Sequence, residues 1–170
     1  GQLDAAVKHY EQALLIKPDY AEAHSNLGAS LQELGQLEEA VKSYKKALLI
    51  KPDYAEMHSN LGVIFQKLGQ LDAAVKHYEQ ALLIKPDYAG AHSNLGVTLS
   101  RFGQLDAAVK HLEQALAIKP DYAEAWGNVV FTAKALDLSS TQNIWLDSYI
   151  NNLDVAVLNS VHFKILEYRL

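Results

Sequence analysis

The sequence predicts an all-α fold, a solenoid of stacked antiparallel helix pairs, and three observations lead there. Pro18, Pro52, Pro86 and Pro120 stand 34 residues apart, and Gly1, Gly35, Gly69 and Gly103 keep the same step. Within one period, apolar residues recur at helical spacing, Leu61, Phe65 and Leu68 in the first half and Leu71, Ala74, Tyr78 and Ala81 in the second. A lone helix pair of this length cannot cover its own apolar face, whereas copies laid side by side bury a continuous one.

Taken in order, residues 1–20 match the second half of the period, with Leu3, Ala6, Tyr10 and Ala13 in the places of Leu71, Ala74, Tyr78 and Ala81. They predict a second helix without its first. Three whole units follow at 21–54, 55–88 and 89–122, and then a first helix at 123–136. Each Pro-Asp-Tyr is expected to end a helix, because proline lacks the amide donor and disfavours helix at the residue before it, and its Asp can cap the next helix.

In this frame one unit reads His58, Leu61, Gly62, Phe65, Ala74, Tyr78 and Pro86. Its neighbours read His24, Leu27, Gly28, Leu31, Ala40, Tyr44, Pro52 and His92, Leu95, Gly96, Leu99, Ala108, Leu112, Pro120. The pattern resembles the tetratricopeptide repeat, with its large aromatic, Leu-Gly, bulky residue, Ala, aromatic and Pro. The resemblance covers residues 1–136 and implies a right-handed superhelix whose first helices line a concave surface. Small residues at Gly62 and Ala74 let helices approach closely, and Phe65 and Tyr78 fill the gaps beside them. In the fourth copy Trp126 supplies the aromatic, but Val129 and Val130 replace Leu-Gly. Overpacking at Val130 would cost on the order of 1–3 kcal/mol, so regular stacking is expected to end there.

Residues 137–170 lack the proline, the Leu-Gly and the Ala-x-x-x-Tyr. Two further helices are expected, the first capped by Ser139 or Ser140 with a stripe of Leu146, Ile150 and Leu153. The second is capped by Asp154, with Leu158, Val161 and Ile165 on one face. This tail is either a degenerate cap or a connector to a further domain. It resembles the helical connector that precedes a sulfotransferase-like or glycosyltransferase domain in some bacterial multidomain repeat proteins. Because the chain begins at Gly1 inside a repeat, it is expected to be an excerpt of a longer protein, and a catalytic domain could lie outside it.

Composition narrows the function classes. A content of 49% hydrophobic and 21% charged residues fits a globular chain, and a formal charge of -5 gives no reason to expect nucleic acid or an anionic membrane as partner. Cysteine is absent, which excludes disulfides, thiolate metal sites and a cysteine nucleophile. No apolar run approaches the roughly eighteen residues of a membrane helix. The compartment is left open, with the cytoplasm as the first expectation.

The seven histidines raise the question of a metal. His24, His58 and His92 recur at one place, and His9, His77 and His111 at another. Neighbouring helices lie roughly 8–10 Å apart, and no His-x-x-x-His pair puts two on one helical face, whereas zinc needs nitrogens within about 2.1 Å of one ion. The first set is therefore assigned to packing and the second to solvent, with no metal or other cofactor. Ser25, Ser59 and Ser93 adjoin histidines, but successive helix residues do not face one another and no acid is placed to orient an imidazole. The segment is expected to be non-catalytic.

The candidate site is a row of asparagines. Asn26, Asn60, Asn94 and Asn128 hold one place in successive first helices, and the resemblance implies that this place faces the groove. A carboxamide offers a donor and an acceptor, which suits an extended peptide backbone. The alternative is that these amides bond neighbouring helices or water. The segments HSNLG at 24–28, 58–62 and 92–96 are similar to the repeats of O-linked N-acetylglucosamine transferase, where such a ladder holds peptides. Around the row, Ser25, Ser59, Ser93 and Gly127 are expected to leave room for a ligand. Ala29, Val63, Val97 and Phe131 would form a mildly apolar floor, with Gln32, Gln66, Ser100 and Lys134 beyond it. Glu33, Lys67 and Arg101 differ in charge from unit to unit and are the expected selectivity positions. A protein or extended peptide is thus the expected partner. The runner-up is a homodimer through stack ends, where Leu3, Ala6, Tyr10 and Ala13 lack a covering helix.

Overall fold

In a computed structural model, residues 1–135 are described, and they form eight helices. These are α1 (Gln2–Ile16), α2 (Ala21–Glu33), α3 (Leu37–Ile50), α4 (Ala55–Lys67), α5 (Leu71–Ile84), α6 (Ala89–Arg101), α7 (Leu105–Ile118) and α8 (Ala123–Ala135). No strand occurs among the described residues. The fold is an all-α helical-repeat solenoid, as the 34-residue period predicts. The expectations for residues 137–170 lie outside the described residues.

The helices group into two compact units, Gly1–Pro86 and Asp87–Leu170. In the first unit α2 packs on α3 and α4 on α5, while α1 rests on α2 and α3 on α4. In the second, α6 packs on α7, and α8 touches both.

Local sequence explains where each helix stops. The second helices end one residue before a lysine that precedes proline. Lys51, for example, takes φ -134° and ψ 85°, the extended backbone that a following proline imposes. The first helices end on a glycine turn: Gly69 has φ +72°, and the Gln70 amide reaches back to the Phe65 carbonyl at 2.8 Å, which closes a Schellman-type cap. The aspartate of Pro-Asp-Tyr does not cap the next helix. The N-cap places belong to Tyr20, Tyr54 and Tyr88, with no side-chain cap bond, so each Asp falls one residue too early to reach the free amides. The tyrosine instead lies under the lysine across the turn: Lys51 Nζ is 4.6 Å from the Tyr54 ring centroid and Lys17 Nζ 5.1 Å from that of Tyr20.

The core forms where small residues admit large ones. A Cβ added at Gly62 would stand 2.5–2.8 Å from the Tyr78 ring, and one at Gly96 would stand 2.7 Å from Leu112, so glycine sets how closely α4 meets α5 and α6 meets α7. Leu61, Ile64, Ala74 and Tyr78 are fully buried around the first of these contacts. Burying a side chain such as Leu61 contributes about 1.5–3 kcal/mol. In the second unit Trp126 packs with Leu112, Leu116, Ala125 and Val129, and α8 runs on to Ala135. The side chain of Val130 lies outside the described residues.

Candidate peptide-binding groove

The first helices carry the asparagines, and each unit holds two of them. In the first unit Asn26 of α2 is exposed and Asn60 of α4 half-buried. Asn60 Nδ2 donates to the Tyr44 hydroxyl at 3.3 Å. In the second unit Asn94 of α6 and Asn128 of α8 are both half-buried, and Asn128 Nδ2 lies 3.5 Å from Ser93 Oγ. The amide is thus partly committed to a neighbouring helix at Asn60 and Asn128, while Oδ1 remains a hydrogen-bond acceptor chemically suited to a peptide N–H.

Tyr44 is the site residue that sequence reasoning missed. Its ring packs against Gly28 and is 1% exposed, but its hydroxyl lies at the asparagine row. Burial pushes the phenol up to about 12, the nearby Glu33 charge adds to that rise, and the Asn60 amide opposes it. At neutral pH it is therefore an uncharged hydroxyl. The available signal was the residue type: this place is Leu112 in the unit at 89–122, and a tyrosine in an apolar place brings an O–H that needs a partner.

The expected floor residues Ala29, Val63 and Val97 are half-buried and Phe131 is 63% exposed. Gln66 is half-buried and its Oε1 accepts from the Tyr78 hydroxyl at 3.3 Å. The equivalent Gln32 Oε1 is buried without a partner. Glu33, Lys67 and Arg101 are exposed. The side chain of Lys134 lies outside the described residues. Two serines depart from expectation: Ser59 is 4% and Ser93 0% exposed. Each lies one residue, about 100° of helix turn, before its asparagine, and so turns into the helix contact rather than toward a ligand.

Of the second set of histidines His9 is exposed as expected, while the other two depart from expectation. His77 and His111 are half-buried rather than solvated, because each meets a histidine of the first helix in its own unit. The Nδ1 atoms of His58 and His77 are 3.2 Å apart, and those of His92 and His111 3.0 Å apart. His77 also stacks on Phe65, with ring centroids 5.3 Å apart. Burial lowers the proton affinity of His58, His77 and His111, with His77 brought to about 4 by burial, His58 and Lys45 together. Among the described residues, no three His, Asp or Glu side chains gather where they could hold a metal.

Comparison with known proteins agrees with this architecture. A tetratricopeptide repeat profile matches residues 53–121, and a TPR repeat profile matches 1–35 and 30–69. The chain belongs to the tetratricopeptide repeat family. No curated relative matches it in sequence. Among solved structures, this TPR chain is similar to MamA, with TM-score 0.79 and 22% identity over 99% of this chain and 92% of that one. It is similar to YrrB, described as a TPR protein with an unusual peptide-binding site, with TM-score 0.72 and 23% identity over 96% of this chain and 84% of that one. It is also similar to the first TPR of Spaghetti (RPAP3) bound to the HSP90 peptide SRMEEVD, with TM-score 0.67 and 22% identity over 69% and 93%. At these identities the likeness establishes the fold.

Proposed function

We propose that this chain is a non-catalytic protein-binding scaffold that holds extended peptide at the asparagines of its first helices, Asn26 and Asn60 in the first unit and Asn94 and Asn128 in the second. The observation that carries the reading is Asn60. Its Nδ2 is bonded to Tyr44 at 3.3 Å, which orients a carboxamide whose Oδ1 can accept from a peptide amide. Asn26, Asn94 and Asn128 repeat that carboxamide. Val63 and Val97 supply the apolar floor, Gln32 and Gln66 the polar edge, and Lys67 and Arg101 the charge that selects among peptides. Two structural neighbours whose descriptions mention a peptide or a peptide-binding site support the reading, as does the similarity of HSNLG to the O-linked N-acetylglucosamine transferase repeats. The place of such a module is in a larger protein, with residues 123–136 closing the repeat array and 137–170 serving as a cap or connector. Isothermal titration against a peptide library tests it: the strongest peptide should lose measurable affinity when Asn60 and Asn94 are both changed to Ala. Unchanged affinity in that double variant removes the row from the account.

A second reading, pairing of two copies through α1, is favoured by one observation. No residue of α1 is buried, and Leu15 and Ile16 are 74% and 87% exposed. Light scattering across a concentration series separates the two, since a strict monomer at high concentration rules out pairing.

A further inference from the structure

The second helices carry histidine at 77 and 111, and serine at 43, at one place of the repeat. At 77 and 111 the imidazole fills the space beside the first helix and bonds His58 or His92 through Nδ1. At Ser43 that ring is missing, and a cavity of about 830 Å³ opens within the first unit between α1, α2 and α3. His24 and Ser43 line it together with Leu15, Leu27, Leu49 and Ile50. Leu15 and Leu49 are 74% and 84% exposed, so the apolar wall continues to the surface.

The proton positions follow from the partners. His24 is 7% exposed, and its Nε2 lies 2.9 Å from the Pro18 carbonyl oxygen. A carbonyl only accepts, so Nε2 carries the hydrogen and Nδ1 of the neutral ring is an acceptor lone pair. His58 holds the same place in the next repeat, and with the same tautomer the lone pair on its Nδ1 would receive the N–H of His77, whose Nδ1 is 3.2 Å away. The repeat at 55–88 therefore shows, filled by its own side chain, the arrangement that the repeat at 21–54 leaves open.

We propose that this cavity receives an imidazole side chain of a partner segment. The ring takes the place that His77 takes one repeat on, its N–H donates to His24 Nδ1, and apolar residues flanking it lie on Leu15, Leu49 and Ile50. The cavity is far larger than one ring, so the flanking residues fit as well. His24 and Asn26 are two residues and thus about 200° apart around α2, which makes this a different site from the asparagine row.

Imidazole itself is the probe, with 1-methylimidazole as the control that has nearly the same shape and, when neutral, no N–H to donate. The full chain, labelled with ¹⁵N, is titrated at pH about 8, where histidine and both probes are largely neutral. Imidazole is expected to move the His24 side-chain nitrogen resonances with half-saturation on the order of millimolar, as befits so small a ligand. The methylated probe should bind about two- to tenfold more weakly, the worth of one hydrogen bond. Ser43→His seats a ring from the protein's own chain; it should give His24 the resonance pattern of His58 and abolish the response to imidazole. A His24 signal that imidazole does not move, or that both probes move equally, overturns the proposal, and so does a folded Ser43→His chain that still responds. The first two outcomes are read on the unaltered chain and decide the matter even where the variant does not fold.

Discussion

Asn60 Nδ2 donates to the Tyr44 hydroxyl at 3.3 Å, so a carboxamide on the first helix of one repeat is held by the second helix of the repeat before it. Tyr44→Phe removes the acceptor and leaves the ring in place. Because the ring is 1% exposed and Asn60 can turn to water, the loss in stability should be one ordinary hydrogen bond, about 0.5–1.5 kcal/mol by urea unfolding. Peptide affinity, measured by calorimetry, should fall several-fold with it. A stability loss with undiminished affinity would mean that the orientation of Asn60 does not matter to the ligand.

Gly62 and Gly127 are expected to respond in opposite ways to alanine. At Gly62 the new methyl would stand 2.5–2.8 Å from the Tyr78 ring, and forcing α4 and α5 apart should cost about 1–3 kcal/mol. At Gly127 the added methyl meets nothing within 4 Å, so only the helix propensity changes and Gly127→Ala should stabilise by up to about 1 kcal/mol. Midpoints of chemical unfolding for the two variants check both signs in one experiment.

What the sequence made legible, and what it hid, divides along the range of the interaction. Helix ends were readable because Pro52 or Gly69 acts on its own neighbours through the backbone. The core was readable because Gly62 and Tyr78 repeat at fixed places of a short period. The His58–His77 contact was not, since the two residues are 19 apart and on different helices, and periodicity says where a side chain sits without saying what it faces. Ser59 failed for a related reason: one residue of helix turn separates a groove position from a buried one, and the exact rotation is set by packing. Asp53 was misread as a cap because proline adds a residue of turn before the helix begins.

The His58–His77 pair should make stability depend on pH. His77 is brought from the usual histidine range to about 4 by burial first, then by His58 from α4 and Lys45 from α3. Below about pH 6.5 the unfolded chain therefore binds a proton that the folded chain refuses, and stability rises with pH wherever the unfolded state holds more protons. The contribution is whole above pH about 7 and is lost progressively as the pH falls from about 6.5 toward 4. His58 and His111, also lowered by burial, act in the same direction. Urea midpoints taken across this range should fall on acidification, and His77→Phe, which keeps a ring against Phe65 and removes the titrating nitrogen, should fall less steeply. An equally steep fall would assign the dependence to other groups.

The aromatic place of the repeat holds histidine three times and tryptophan once, and the structure shows what the two have in common. His24 Nε2 lies 2.9 Å from the Pro18 carbonyl oxygen, and Trp126 Nε1 donates to that of Pro120 at 3.0 Å. Each ring N–H reaches the carbonyl six residues before it and ties the helix start to the proline turn. What this place selects is then a flat ring with an N–H on its far edge, and size is secondary. His24→Trp keeps the donor, and the cavity beside His24 gives the larger ring room. His24→Phe has the ring without the donor and leaves the carbonyl to water. The tryptophan variant should therefore be the more stable of the two by about 1 kcal/mol, the worth of one hydrogen bond, in guanidinium unfolding. A phenylalanine variant that equals or exceeds it would show that ring packing alone holds the turn.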